Sequence, residues 1–211
     1  MSEKSLEKAI KDKIKPLLDK VTRESLGFSI EKLNEDIIDK LEKPVLRFKI
    51  DTSIPFKIAK KDFKKQFFEN LLRGHLGNIS EVARISGMDR RSVHRAIKDL
   101  DINIDKYREE MIRPDQYRVE VVDEAVKDSL EEFKEIINQD KLKNIYQSIM
   151  EKDEIKHIPL REPKFDESEK EFERQYIEYA LRENNHLITK TAKKIGLRYE
   201  TLIRKMKSLG L

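Results

Sequence analysis

Apolar residues recur every three or four positions over most of this chain, the period of helices that bury one side. Leu6, Ile10, Ile14, Leu17, Leu18 and Val21 predict a helix over residues 3–26, with Pro16 as a kink or a break into two shorter helices. Gly27 and Phe28 interrupt that stripe. Ser29 is the expected N-cap of a second helix reaching about Lys43, along which Ile30, Leu33, Ile37, Ile38 and Leu41 share a face. Leu46, Phe48 and Ile50 then alternate with polar residues between Pro44 and Pro55, which admits a short two-stranded β element near 45–51. Further on, a short helix is expected over Ile104–Ile112, ending before Pro114. A long amphipathic region follows over 120–151, through Val122, Val126, Leu130, Phe133, Ile136, Ile137, Leu142, Ile145 and Met150. Pro159 and Pro163 read as an extended lead into the last stretch.

The strongest regularity is a repeat. Residues 56–102 and 165–211 align without a gap at a constant offset of 109. Phe56, Phe63, Gln66, Glu69, Leu72, Arg73, Ile79, Ala83, Gly87, Arg95, Lys98 and Leu100 recur as Phe165, Phe172, Gln175, Glu178, Leu181, Arg182, Ile188, Ala192, Gly196, Arg204, Lys207 and Leu209. Each unit predicts a long amphipathic helix followed by a helix-turn-helix. In the first, Phe63, Phe67, Phe68, Leu71 and Leu72 make a broad apolar stripe suited to a core or a dimer interface. Asn78 and Glu81 have capping-box spacing, Gly87 is a turn that needs positive φ, and Asp89 caps a third helix burying Val93, Ile97 and Leu100. The equivalent third helix buries Leu202, Met206 and Leu209. A weaker echo, Glu7–Asp12 in Asp123–Asp128 at offset 116, extends the idea to two halves of the whole chain.

These elements define an all-α, internally duplicated protein. Its expected divisions are an N-terminal helical packing or dimerisation region over 1–54, a first helix-turn-helix unit over 55–102 and a linker over 103–119. A second packing region over 120–163 and a second helix-turn-helix unit over 164–211 complete it.

Composition narrows the function. Six Gly, six Pro and 41% charged residues favour helix over sheet. No apolar run approaches the roughly 20 residues of a membrane span, and no signal-peptide core is present, so a soluble cytoplasmic protein without a membrane partner is expected. Without Cys there is neither disulfide nor thiolate metal site, and the four His show no ligand spacing. No catalytic, metal or cofactor site is expected. The net charge of +4 is slight, but residues 184–211 hold seven basic groups against Glu200 alone, seven less one giving a local +6. The run Glu167, Glu169, Glu171, Glu173 reads as a solvated, dipole-favoured helix start.

The basic groups fall on the outward side of the third helix of each unit. The first shows Arg90, Arg91, Ser92, His94, Arg95 and Lys98; the second shows Arg198, Tyr199, Thr201, Arg204, Lys205 and Lys207. A helix fits the major groove, and Arg near its start matches guanine in bidentate geometry. Ser80, and Thr189 with Lys190, open the preceding helix and are the expected phosphate contacts. For Tyr199, covering the helix start is an equal expectation.

The strings Gly77-Asn78-Ile79-Ser80, Ala83, Gly87-Met88-Asp89-Arg90 and Val93-His94-Arg95, with Ala192, Gly196-Leu197 and Leu202 to Leu209, resemble the C-terminal Fis-type DNA-binding domain of NtrC-family response regulators. The resemblance covers two stretches of 47 residues, 94 of the 211. It implies that the helix before each motif makes a dimer and that the last helix reads the major groove. Asp89, Arg90, Ser92, His94 and Arg95 are the implied reading residues, with Arg198, Tyr199, Thr201, Ile203 and Arg204 in the second copy. The second copy departs from the pattern: His186-Leu187 replaces Gly77-Asn78, Arg198 replaces the capping residue, and Ile203 stands where a donor is expected. The family's ATPase module is absent, since no Gly-x-x-x-x-Gly-Lys-Ser/Thr occurs.

The expectation is therefore a sequence-specific double-stranded DNA-binding transcriptional regulator that needs no cofactor. Its two recognition helices, about 89–100 and 198–209, would form a pseudo-two-fold pair entering major grooves about 34 Å apart. The pair is expected within one chain or across a homodimer. An architectural DNA-bending protein and a protein-interaction adaptor are the alternatives.

Overall fold

The computed structural model describes residues 3–42, 50–109, 114–154, 158 and 164–211. Among these there are helices and no strand, in the order α1 (Glu3–Leu26), α2 (Glu31–Glu42), α3 (Phe56–Gly74), α4 (Ile79–Ser86), α5 (Arg90–Asp99), α6 (Ile104–Glu109), α7 (Pro114–Glu131), α8 (Gln139–Met150), α9 (Phe165–Glu183), α10 (Ile188–Lys194) and α11 (Tyr199–Leu209). The expected β element near 45–51 lies outside the described residues except for Ile50 and Asp51, which carry no strand. The leads at Pro44, Pro159 and Pro163 lie outside them too. No described helix is long and apolar enough to cross a membrane. The chain divides into two compact units, each built from two separate segments.

The first unit, Met1–Val45 with Ile112–Glu162, packs α1 and α2 with α7 and α8. Its core is aliphatic, with Ile14, Leu18, Val21, Leu33, Ile37, Val122, Val126 and Ile145 buried. Helix α1 runs unbroken through Pro16. Pro16 and Asp12 both lie on the exposed side, so the carbonyl that loses its N–H partner is within reach of water. Ser29 does not cap α2, which starts one residue later than expected. Its hydroxyl instead donates to Asp19 Oδ1 at 2.6 Å, as does Asn34 Nδ2 at 2.7 Å, tying the two helices together.

The long amphipathic region over 120–151 falls into the two helices α7 and α8. Pro114 begins α7, a position where its missing N–H costs nothing, and Asn138 caps α8 by accepting from Asp140 N at 2.8 Å. Ile136, expected in the apolar stripe, sits in the turn between them at 80% exposure. Buried positions on these helices also recur 108 residues apart: Ile14, Leu18, Val21 and Thr22 on α1 with Val122, Val126, Ser129 and Leu130, and Ile37 and Leu41 on α2 with Ile145 and Ile149.

The second unit, Leu46–Met111 with Pro163–Leu211, holds α3 to α6 and α9 to α11. Helices α3 and α9, each of 19 residues, begin and end 109 residues apart. The turns after them match in the same register. Leu76 and Gly77 have φ of 52° and 69°, and Asn185 and His186 have 53° and 59°. Gly77 N donates to Leu72 O and His186 N to Leu181 O, both at 2.8 Å. Met88 N to Ala83 O is repeated by Leu197 N to Ala192 O, across turn glycines at φ 71° and 70°. These are Schellman closures, in which one left-handed residue lets the chain bond back over the helix end.

Helices α3 and α9 pack through a ring of aromatics whose contacts are reciprocal. Phe63 stacks on Phe172, its own equivalent, at 4.7 Å. Phe56 meets Tyr176 edge-on at 5.4 Å, and Phe165 meets Phe67 edge-on at 5.2 Å, the same two positions exchanged. Pro55 lies against the Gly196 turn and Lys164 against the Gly87 turn, again one relation in both directions. An axis of two-fold type between the helices produces such a pattern. Phe63, Phe67, Phe68 and Tyr176 are at most 1% exposed, and each contributes about 1.5–3 kcal/mol of burial.

Candidate nucleic-acid interface

Each helix-turn-helix is set by local chemistry. In the first, Asn78 Oδ1 accepts from Glu81 N at 3.2 Å and starts α4. The capping box is half made, because the Glu81 carboxylate turns outward to Arg84, 2.7 Å from Nη2. Ala83, 6% exposed, lets α4 lie close to its neighbours. Asp89 starts α5, accepting from Ser92 N at 2.9 Å and from the Ser92 hydroxyl. Those bonds, the side-chain one first, hold the Asp89 carboxyl below its ordinary range. Val93 and Ile97 anchor α5 in the core with Ala96 packed beside them, so His94 and Arg95 face outward.

The second helix-turn-helix reaches the same backbone without the capping side chains. Leu187 has φ −78° and ψ 96°, the values of Asn78, yet offers no acceptor. Arg198 likewise takes the place of Asp89 with no side-chain cap. Leu202 anchors α11, and Met206 and Leu209 pack partly buried against the core.

Arg90, Arg91, His94, Arg95 and Lys98 are exposed on α5, with Ser92 half-buried and Asp89 exposed beside them. Ser80 is exposed at the start of α4. On the second unit Arg198, Tyr199, Arg204 and Lys207 are exposed, Thr201 and Ile203 are half-buried, and Thr189 and Lys190 are exposed at the start of α10. The side chains of Arg90, Arg91, His94, Arg95, Lys98, Arg198, Arg204 and Lys207 have no hydrogen-bonding or ionic partner among the described residues. Exposed lysines elsewhere, such as Lys57, Lys61 and Lys141, have no such partner either, whereas Lys127, Arg182 and Lys194 sit in ion pairs; what marks α5 is five basic side chains on one short helix face.

Lys205 is different. Its ammonium turns inward to Glu173 Oε2 at 2.6 Å and lies 5.0 Å from the centre of the Phe56 ring, so its charge is used inside the protein. Glu173 also accepts from Lys60 Nζ at 2.6 Å, and Glu169 faces Lys60 at 3.3 Å and Lys64 at 3.0 Å. Burial pushes the Glu173 carboxyl up, but the Lys205 and Lys60 bonds outweigh it and hold it below its ordinary value. Burial pulls Lys60 down, and its Glu173 bond and the two acidic charges bring it above its ordinary value.

The acidic run is thus not a solvated helix start. Half of it lines the α3–α9 interface, because positions 169 and 173 face the partner helix while 167 and 171 stay exposed. That role had a sequence signal: the 109-residue register sets Lys60 and Lys64 against Glu169 and Glu173, a charge reversal at otherwise matching positions.

A family model described as "Bacterial regulatory protein, Fis family" matches residues 170–209, from within α9 to the end of α11. Residues 170–209 are therefore one Fis-family helix-turn-helix domain, formed by the copy that lacks the capping side chains. No curated protein and no solved structure matches the chain.

Proposed function

We propose that the protein is a sequence-specific double-stranded DNA-binding transcriptional regulator in which both helix-turn-helix units read one duplex. Each pair of a long helix and a helix-turn-helix is one copy of a duplicated module, and α3 and α9 join the copies as an intramolecular pseudo-dimer. Helices α5 and α11 enter neighbouring major grooves. Arg90, Arg95 and His94 on one side, and Arg198, Tyr199 and Arg204 on the other, face base edges. Arg91, Lys98 and Lys207, with Ser80, Thr189 and Lys190 on the preceding helices, lie nearer the phosphates.

The observation that carries this reading is the bare guanidinium face of α5, with its equivalent on the Fis-family domain. Basic side chains clustered on one short helix face repel one another, which a polyanion relieves. Selection from randomised duplexes tests it. A defined motif is expected, bound by the intact chain and weakened at least about tenfold in an Arg95→Ala/Arg204→Ala variant, given about 1–3 kcal/mol for each bidentate contact. A diffuse, A/T-biased profile would favour the architectural alternative. Unchanged duplex binding by the variant would favour the protein-interaction adaptor.

A further inference from the structure

Across the α3–α9 interface the shapes match and the charges are opposite. Position 60 faces its own equivalent, 169, and the two diagonal contacts join 60 to 173 and 64 to 169. Lysine occupies both positions on α3, and glutamate both positions on α9. If two α3 helices met in this geometry, every one of these contacts would join ammonium to ammonium. If two α9 helices met, every one would join carboxylate to carboxylate. The aromatic ring offers no such discrimination, since Phe63 stacked on Phe172 is nearly what Phe63 on Phe63 would be.

The reading helices that this interface couples are unlike. In the 109-residue register Asp89 becomes Arg198, Arg90 becomes Tyr199, Arg91 becomes Glu200 and His94 becomes Ile203, while Arg95 and Lys98 keep their charge as Arg204 and Lys207. One half thus presents a row of donors. The other presents an aromatic and an apolar group beside its arginines, suited to a thymine methyl rather than to a second guanine.

We infer that the Lys60/Lys64–Glu169/Glu173 contacts admit only unlike units to the pair, so that the protein reads a non-palindromic duplex in a single orientation. This rests on the DNA-binding reading above. Like-charge juxtaposition excludes the homotypic pairings that apolar packing alone would allow, which is specificity by repulsion. A protein with equal units would bind a palindrome and carry no direction. This one binds with its α5 end and its α11 end distinguished.

The absence of native Cys makes the test direct. Asp99→Cys and Ser208→Cys each place one thiol at an exposed position near the end of a reading helix, where an iron-chelate cleavage reagent can be attached. On the duplex selected by the intact chain, each labelled protein is expected to cut at one end only. The two labels should mark opposite ends, with a bias of at least about tenfold set by one lost base contact. Equal cutting at both ends by either label would overturn the inference while leaving DNA binding intact. Failure to select or bind any duplex would instead sink the functional reading beneath it. The charge code is tested separately by thermal unfolding of two variants. Lys60→Glu/Lys64→Glu is expected to melt well below Lys60→Met/Lys64→Met, because only the first adds repulsion. Equal loss in both would show packing without a charge code, and would overturn it.

Discussion

Arg198 stands at the N-cap of α11 where Asp89 stands at that of α5, and the exchange trades a local hydrogen bond for a long cationic arm. An N-cap side chain contributes about 1 kcal/mol, so the second unit forgoes that at α10 and again at α11. The losses are separable because only Arg198, and not Leu187, is proposed to face DNA. Leu187, 56% exposed and already in the Asn78 conformation, gains only the missing acceptor on Leu187→Asn. That variant is expected to unfold at higher denaturant by about 1 kcal/mol with unchanged duplex affinity, and no gain in chemical denaturation would refute the capping argument. Arg198→Asp should gain similar stability and lose duplex affinity, since it removes a bare guanidinium and adds an acid facing phosphate. Parallel melting and binding titrations check the opposite signs. Gly77 shows the reverse constraint: a Cβ there would lie 2.8 Å from Arg108 Cγ on α6, whereas His186 tolerates the same φ in an exposed turn.

At the scale of elements, α3 and α9 owe their pairing to buried rings and to a half-buried set of charges, and the charges give the fold a pH signature. Glu173 releases its proton more readily folded than unfolded. Its contribution is therefore complete above the ordinary 4.5 and drains as pH falls through the lower folded value. Tyr176, which donates to the Ile54 carbonyl at 2.5 Å, is pushed by burial and by Asp51 and Glu183 from 10.0 to about 12. It holds its proton where the unfolded chain loses it, so its contribution is complete below 10.0 and is lost as pH rises toward and through 12. Thermal midpoints across the pH range should show both limbs. Glu173→Gln is expected to flatten the acid limb and Tyr176→Phe the alkaline one. An acid limb unaltered by Glu173→Gln would remove that carboxylate from the account. Lys60, whose proton is held more tightly when folded, contributes below 10.5 and adds to the alkaline loss.

For the whole molecule, the proposed reading by α5 and α11 from one compact unit predicts one chain per duplex, because α3 and α9 belong to the same chain. Light scattering with a short selected duplex should give a mass of one 25.1 kDa chain plus DNA, and two chains per duplex would mean that the pair forms between chains. Affinity should fall steeply with salt. Each phosphate neutralised adds about 0.9 to the slope of log K against log salt, so Arg91, Lys98, Lys190 and Lys207 together predict a slope of about 3.6. A slope of about 1.8 would mean that one unit alone engages the backbone.

The helices, their apolar sides and the 109-residue register were legible because each depends on residues three or four positions apart, or on a literal recurrence of letters. The basic face of α5 was legible for the same reason, being the side left over once Val93 and Ile97 are assigned to the core. The break of residues 120–151 into α7 and α8 is hidden in the sequence because Phe133 and Ile137 are buried from within a turn, which continues the apolar stripe while the backbone has left the helix. The inward turn of Lys205 is hidden in the sequence for a related reason: helical period places it at the margin of the outward face, and only a partner carboxylate decides which way a flexible four-carbon stem turns.

What the sequence determined alone was everything governed by near neighbours: which segments coil, where glycine or aspartate ends or begins them, and which side of each is apolar. What needed the tertiary structure was the meeting of residues more than a hundred positions apart. Phe63 on Phe172, Lys60 between Glu169 and Glu173, and the Gly87 turn beneath Lys164 exist only once α3 and α9 have packed. Local periodicity says that a face is buried and is silent on what buries it, because apolar attraction has no direction. The choice of partner comes from shape and charge across the interface, and those are properties of two segments together.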